Sequence, residues 1–167
     1  MINKLKNNNN DSIGILGSGL MGHGIAYAAA ISGLQVLMLD LTKSQATKGL
    51  QKIYQILEKR CKKGFITKQE LNDIKNRIEV SHDYEKLKTK KIVIEAIYED
   101  LNVKTKALKT AEGCMNPNGF IASNTSTIPI SVLASKLINP KKFIGLPFFS
   151  PVHKMKLVEV IKGQKTS

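Results

Sequence analysis

Short apolar runs alternate along this chain with segments in which the apolar residues have helical spacing. The first run, from Ile13 to Leu16, leads directly into the sequence Gly17-Ser18-Gly19-Leu20-Met21-Gly22, and small and apolar residues continue beyond it. This order predicts a strand, a tight turn and a helix. The helix should extend from about His23 to Ser32, and Gly33 should end it in a left-handed conformation.

The glycine run and the strand after the first helix together predict a dinucleotide site. Gly17 can form the turn, Gly19 lets the backbone approach a pyrophosphate, and Gly22 lets the helix pack close to the strand. The helix N-terminus offers unpaired N–H groups to the phosphates. The predicted strand Gln35 to Leu39 ends on Asp40, whose carboxylate would accept hydrogen bonds from adenosine ribose hydroxyls and repel a 2′-phosphate. NAD is therefore favoured over NADP.

A helical hairpin is predicted after the second strand. Residues Thr42 to Lys63 have apolar positions at helical spacing, and Gly64 should end that helix. A second helix should begin at Thr67, where the sequence has capping-box form, and continue through Ile78. The hairpin is rich in lysine, which is typical of a solvated helix face, although such a surface could also bind the phosphates of a substrate.

The rest of the chain again alternates strands and helices. The apolar run Lys91 to Ile97 fits a strand buried on both faces of a parallel sheet. Further strands are predicted at Gly119 to Ser123, Phe143 to Phe149 and Lys156 to Ile161, and helices at Leu101 to about Cys114 and Pro129 to Leu137, with Pro129 as the first helical residue. This pattern predicts an α/β fold with a doubly wound, mostly parallel sheet of the Rossmann type and ligands along its carboxyl edge.

Length and composition limit the other possibilities. The 167 residues suffice for one domain, which we expect at residues 12–167 behind a disordered Asn-rich tail at residues 1–11. We find neither an apolar run of membrane-spanning length nor a signal-peptide core, and we expect a cytoplasmic protein without a membrane span. Cys61 and Cys114 lie in helical patterns, which indicates reduced structural thiols, and no metal site is predicted.

The net charge of +13 could indicate a nucleic-acid partner. Its distribution argues against this, because the lysines are spread along the chain and few aromatic residues lie among them to stack on bases. We therefore predict no nucleic-acid binding. Phosphate-bearing small molecules are the better explanation for part of the charge.

Several blocks of the sequence closely resemble one known family. They are GILGSGLMGHGIAYAAAISG, IVIEAIYEDLNVKTKAL, ASNTSTIPI and FIGLPFFSPVHKMKLVEVIKG. They are similar to the NAD-binding domain of the L-3-hydroxyacyl-CoA dehydrogenases, including the dehydrogenase part of bacterial fatty-acid oxidation complexes. The resemblance covers about Ile13 to Ser167. It implies NAD-dependent oxidation of a 3-hydroxyacyl-CoA to a 3-oxoacyl-CoA in β-oxidation.

The glycine pattern and the resemblance together imply cofactor contacts at the glycine turn and past the strand ends. They fall on Gly17, Gly19, Leu20, Met21, Gly22, Asp40, Ile97, Tyr98, Glu99, Lys104, Ser126 and Ser150. Without the resemblance, Lys104 would be interpreted as a lysine on the surface of a helix. Ser126, which the resemblance also places at the substrate 3-hydroxyl, could in addition cap the helix that follows it.

The catalytic positions depart from the family pattern. The family uses a His base held by a carboxylate, and Glu159 matches that carboxylate. The base position, however, holds Pro147, which has no titratable group, and Ser150 replaces the usual Asn. We interpret the nearby His153 as a loop residue rather than a displaced base. The resemblance therefore implies impaired catalysis.

Three hypotheses follow for the whole chain. In the family a helical domain follows, with the dimer interface and part of the acyl-CoA pocket, so we expect a truncated chain that tends to self-associate. The chain would be an NAD-binding domain with weak or absent catalysis. Alternatively, it would be a non-catalytic binding module that associates with a separately encoded helical half, or a gene remnant without function.

Overall fold

The computed structural model describes residues 11–152, 154–155 and 157–167. Residues 1–10 of the expected disordered tail lie outside the described residues. His153, which we interpret as a loop residue, also lies outside them. Among the described residues, no helix is long and apolar enough to cross a membrane.

The described residues form a sheet with strand order β3-β2-β1-β4-β5-β6-β7. All neighbouring strands are parallel except β6 and β7, which are antiparallel. The strands are β1 Ser12–Leu16, β2 Gln35–Leu39, β3 Ile78–Ser81, β4 Ile92–Glu95, β5 Phe120–Ser123, β6 Phe143–Gly145 and β7 Ile161–Lys162. The strand order reverses between β1 and β4, which is where doubly wound folds bind their ligands. The predicted fold class is confirmed.

Helices cover both faces of the sheet. They are α1 Leu20–Ile31, α2 Lys43–Lys62, α3 Lys68–Asn76, α4 Leu101–Cys114 and α5 Ile130–Ala134, with 3₁₀ turns at Tyr84–Thr89 and Pro140–Lys142. Neighbouring residues of β2 point to opposite faces: Met38 packs with Ile25 and Ile53 on the side of α1 and α2, and Leu37 packs with Leu108 on the side of α4. The two apolar layers hold the sheet between them.

The helical hairpin is confirmed, including its local signals. Thr67 forms the capping box with Glu70 at the start of α3. Gly33 and Gly64 have φ angles of +95° and +74°, as expected of glycines that end helices in the left-handed region. The first helix begins at Leu20 rather than near His23, so its first turn starts directly after Gly19.

The end of the hairpin was predicted wrongly. The helix α3 stops at Asn76, and Ile78 begins β3. Ile78 continues the apolar spacing of the helix, but parallel pairing with Val36 of β2 places it in the sheet. Long-range strand pairing therefore overrides the local helical pattern.

Three later elements are shorter than the sequence suggests. Pro129 is the N-cap of α5 rather than its first residue, and the helix ends at Ala134. β6 ends at Gly145: the Leu146 N–H makes the last bond of the β5–β6 ladder, Pro147 has no N–H to continue it, and the Phe148 N–H donates to the Asn124 side chain. The predicted strand Lys156 to Ile161 is reduced to a bridge between Val158 and Phe148, followed by β7.

Candidate functional site

The glycine turn connects β1 to α1 with little free space. The Gly17 N–H donates to the Leu39 carbonyl at 2.8 Å, and the residue has a φ of +95°. A Cβ on Gly17 would lie 2.6 Å from the Ala96 carbonyl oxygen, and one on Gly22 would lie 1.9 Å from the Gly17 carbonyl oxygen. A side chain at either position would therefore push strand and helix apart.

The N-terminus of α1 is suited to an anion. Gly19 is its N-cap, no side chain caps the helix, and its first turn contains no acidic residue. A Cβ on Gly19 would meet no described atom within 4 Å, so the backbone there faces open space. The backbone N–H groups of the first turn, which no side chain caps, face this open space and could donate to the pyrophosphate of a dinucleotide.

A cleft of about 990 Å³ opens beside this turn, between the carboxyl ends of β1, β2 and β4 and the side of α4. Its volume suits a ligand of cofactor size. The predicted cofactor residues that line it are Gly17, Gly19, Leu20, Met21, Asp40, Ile97, Tyr98, Glu99 and Ser126. Gly22, Lys104 and Ser150 are not among its lining residues.

Asp40 is held at the edge of the cleft by backbone and side-chain donors. Its Oδ2 accepts from the Ser18 N–H at 2.8 Å and from the Ser18 hydroxyl, and its Oδ1 accepts from the Leu41 N–H at 2.8 Å. The carboxylate is therefore fixed beside the glycine turn. Tyr84 lines the same part of the cleft, and burial together with the Asp40 charge raises the pKa of its phenol.

Ser18 and Gly49 are site residues that the sequence reasoning missed. Ser18 is buried, and a Cβ on Gly49 of α2 would lie 2.6 Å from the Ser18 Cβ. Helix α2 can thus pack onto the turn only because residue 49 has no side chain. A polar residue between two glycines was the only sequence signal for Ser18, and its partner Asp40 is far away along the chain.

A buried ionic network links β4, α4 and β5 below the cleft. Lys104 is 1% exposed, and its Nζ donates to Glu95 Oε1 at 2.6 Å and to the Ile97 carbonyl at 3.3 Å. Glu95 is fully buried and also accepts from the Ser123 hydroxyl at 2.5 Å and the Ile97 N–H at 2.7 Å. The interpretation of Lys104 as a surface lysine is therefore wrong, and its contact with the cofactor stays a prediction.

Glu99 connects this network to the cleft. Its side chain is 39% exposed, and its Oε2 lies 3.1 Å from Lys104 Nζ. Its Oε1 accepts from the Thr125 hydroxyl and, at 2.7 Å, from the Thr127 hydroxyl. Partial burial alone would raise the pKa of Glu99, but these hydrogen bonds and the Lys104 charge outweigh it and lower the pKa below its ordinary value. Glu99 therefore presents a carboxylate to the cleft.

Ser126 lies in the loop after β5, exposed and lining the cleft. The expectation that it caps α5 is wrong, because Pro129 is the N-cap and no side chain caps that helix. Thr125 stabilises this loop instead, since its hydroxyl accepts from the Ile128 N–H at 3.0 Å. The Ser126 hydroxyl is thus left available to a ligand.

The structure brings together the two positions, 147 and 159, that the resemblance assigns to catalysis. The Leu146 N–H donates to the Ser123 carbonyl at 2.8 Å, and the Phe148 N–H donates to Asn124 Oδ1 at 2.8 Å. These bonds hold the buried Pro147 at the carboxyl end of β5, next to the cleft that Asn124 lines. The Glu159 N–H donates to the Pro147 carbonyl at 3.4 Å.

The surroundings of this pair are open. Glu159 is exposed, and its carboxylate makes no hydrogen bond or ion pair within the part of the chain that the structure describes. Ser150 is exposed and precedes a cis peptide bond to Pro151. Exposed apolar side chains follow, at Met155, Leu157, Val158, Val160 and Ile161. The expected self-association of this surface stays a prediction.

Over the described residues no group of three or more His, Cys, Asp or Glu side chains could hold a metal ion.

Strand order, glycine turn and cleft together define an NAD-binding domain of the Rossmann type. Residues 12–167 match the family described as "3-hydroxyacyl-CoA dehydrogenase, NAD binding domain". The chain belongs to this family, and the resemblance seen in the sequence is confirmed together with NAD as the family's cofactor.

Individual relatives agree with this assignment. The chain is 42% identical over 153 residues to the fatty acid oxidation complex subunit alpha of Psychrobacter arcticus, covering 92% of this chain and 21% of that protein. The (S)-3-hydroxybutyryl-CoA dehydrogenase of Ralstonia eutropha superposes with a TM-score of 0.90 at 42% identity, covering 93% of this chain and 55% of that one. The 3-hydroxybutyryl-CoA dehydrogenase of Escherichia coli does so with a TM-score of 0.90 at 34% identity, covering 94% and 33%. The chain thus spans about a fifth of the length of the complex subunit.

Proposed function

We propose that this chain provides the coenzyme-binding part of an NAD-dependent 3-hydroxyacyl-CoA dehydrogenase of fatty-acid oxidation, and that it catalyses poorly because Pro147 occupies the position of the base. The contact between the Glu159 N–H and the Pro147 carbonyl supports this proposal. This backbone contact brings residue 159 next to residue 147, which has no titratable group and cannot accept a proton.

The proposed roles follow from the chemistry of each group. Bound NAD would accept a hydride from C3 of the substrate. Asp40 and Glu99 would accept hydrogen bonds from the ribose hydroxyls, and Ser126 would hydrogen-bond the substrate 3-hydroxyl. Glu159 would orient a base at position 147, which would take the hydroxyl proton. General-base catalysis typically contributes about 10²- to 10⁴-fold, and Pro147 removes that contribution.

The substrate side of the site is also part of the proposal. The matched subunit and dehydrogenases are longer than this chain. We propose that a helical part, corresponding to the remainder of those longer dehydrogenases, completes the acyl-CoA pocket. Hydride transfer needs the substrate carbon and the nicotinamide in near-attack geometry, which one wall of a pocket cannot maintain.

The test is NADH formation from 3-hydroxybutyryl-CoA, with and without the C-terminal part of the Ralstonia eutropha dehydrogenase added as a second chain. We expect negligible turnover by the unmodified chain. Pro147→His should raise turnover slightly alone and more with the second chain, and Glu159→Gln in the same chain should remove most of the gain. Pro147→Ala is the matched control, since it frees the backbone without adding a base, and it should gain nothing.

One outcome would contradict the proposal, and a further variant would then identify the base. Turnover by the unmodified chain close to that of the complete dehydrogenase would show that no base is missing. If His153→Ala then abolished this turnover, His153 would be the base that the sequence analysis discounted.

The second candidate is a non-catalytic NAD-binding module that associates with a partner. Pro147 favours it as well, because the substitution removes the base while the coenzyme cleft keeps its polar residues. The result that would favour this candidate is a Pro147→His variant that binds both NADH and the second chain but shows no increase in turnover.

A further inference from the structure

The carboxylate of Asp40 has little hydrogen-bonding capacity left for a ligand. An ionised carboxylate offers about four lone-pair positions, two on each oxygen. Oδ2 accepts from the N–H and the hydroxyl of Ser18, and Oδ1 accepts from the Leu41 N–H. Among the residues that the structure describes, both donors to Oδ2 therefore come from Ser18, and the free position is on Oδ1.

Ser18 is itself fixed in place. It is 6% exposed, and α2 packs against it at Gly49, where an added Cβ would lie 2.7 Å from the Ser18 carbonyl oxygen. Its hydroxyl lies 3.0 Å from the Gln45 carbonyl as well, but a hydroxyl has one hydrogen. The ionised carboxylate is the stronger acceptor, so the hydrogen points to Asp40.

We propose that Ser18 is a positioning residue for coenzyme choice. By holding Oδ2 of Asp40 with its hydroxyl and N–H, it leaves Oδ1 to accept a ribose hydroxyl and prevents the carboxylate from turning away from a 2′-phosphate. Ser18 thus acts through Asp40, and the preference for NAD over NADP belongs to the pair. The inference rests on coenzyme binding and is independent of whether the chain turns over a substrate.

If Ser18 only packs the turn, its substitution should affect the two coenzymes differently than if it positions Asp40. A residue that only supports the turn would weaken NADH and NADPH equally, because the two coenzymes share every group except the 2′-phosphate. A residue that holds Asp40 changes the ratio of the two dissociation constants. It changes that ratio only while Asp40 is present.

The experiment measures Kd for NADH and NADPH by coenzyme fluorescence in the full chain and in Ser18→Ala. We expect Ser18→Ala to reduce the preference for NADH about tenfold, the effect of one weakened charge-assisted hydrogen bond. Ser32→Ala is the matched control, because that exposed serine bonds only to its own helix, and it should leave the ratio unchanged. In an Asp40→Ala background, Ser18→Ala should have no further effect on the ratio.

An unchanged ratio in Ser18→Ala would overturn the proposal, and so would an equal drop in the Asp40→Ala background. Circular dichroism would establish that each variant is folded. If Ser18→Ala does not fold, Ser18→Cys keeps the volume with a weaker donor and should give an intermediate loss of preference.

Discussion

The coenzyme half of the cleft and the segment from Leu146 to Val160 differ in how their charged groups are held. In the coenzyme half, Asp40, Glu99 and Lys104 each have side-chain or backbone partners within this chain. In the later segment, the carboxylate of Glu159 has no such partner among the described residues. In the first region each of these charges is therefore paired, whereas the carboxylate of the second is left open to solvent.

The two regions differ in this way because Glu95 and Lys104 of the first are buried, whereas Glu159 of the second is exposed. A charge that is removed from water needs a partner, so Glu95 and Lys104 depend on each other and on the fold around them. Glu159 lies in solvent and can remain unpaired at no large cost. Under the assignment that we propose for position 147, the base can therefore be missing while the buried ion pair beside the coenzyme cleft stays intact. We infer that coenzyme binding and catalysis can be lost separately in this chain.

The largest expected effect comes from breaking the buried ion pair. Lys104→Met would leave Glu95 as an uncompensated buried charge, and we expect the free energy of unfolding to fall by about 3 to 5 kcal/mol. Glu159→Gln should change it by less than about 0.5 kcal/mol, since it alters an exposed side chain. Urea denaturation of both variants measures the contrast.

A double variant tests whether the loss at Lys104 is due to charge. Lys104→Met combined with Glu95→Gln removes both charges; the amide oxygen can still accept from the Ile97 N–H, and the amide NH2 can donate to the Ser123 hydroxyl oxygen in place of the present bond. We expect it to recover much of the stability, because neutral replacements of a buried pair are often tolerated. A double variant no more stable than Lys104→Met would show that packing of the lysine stem dominates.

The sequence predicted the local parts of the coenzyme region well. The order of strand, glycine turn and helix, and the acidic residue at the end of β2, depend on short segments with their own conformational rules. The burial of Lys104 was missed because helical spacing does not reveal which neighbour a helix meets. A signal was present, however: Glu95 lies in a strand predicted to be buried on both faces, and such a carboxylate requires a partner.

The strand β3 and the Ser18 contact with Asp40 were missed for a related reason. Ile78 fits the apolar spacing of α3, and only pairing with β2 makes it part of the sheet. Ser18 contacts Asp40, which lies just past the end of β2. Contacts of this kind depend on the register between strands, which a single sequence does not state.

A smaller effect is expected from Asp40→Ala, which tests the coenzyme half directly. Loss of a charged hydrogen-bond acceptor should weaken NADH binding by about tenfold or more. NADPH binding should weaken less or improve, because the 2′-phosphate no longer meets a carboxylate. Asp73→Ala is the control, since Asp73 is exposed on α3 and bonds to Gln69. Tighter binding of NADPH than NADH by the unmodified chain would refute the assignment of Asp40.

The smallest effect concerns the pH dependence of stability at Glu99, where the two regions meet. The pKa of this group is lower in the folded chain than its ordinary value of 4.5, so the ionised form stabilises the fold. The contribution is complete above the ordinary value and disappears as the pH falls through the lower folded-state pKa. Glu99→Gln should therefore lower the free energy of unfolding at neutral pH, and the difference from the unmodified chain should shrink in acid. Thr127→Val removes one donor, and an NMR titration of the Glu99 carboxyl should show its pKa moving up towards the ordinary value. A Glu99 pKa unchanged by that substitution would mean that Lys104 and Thr125 alone hold the carboxylate.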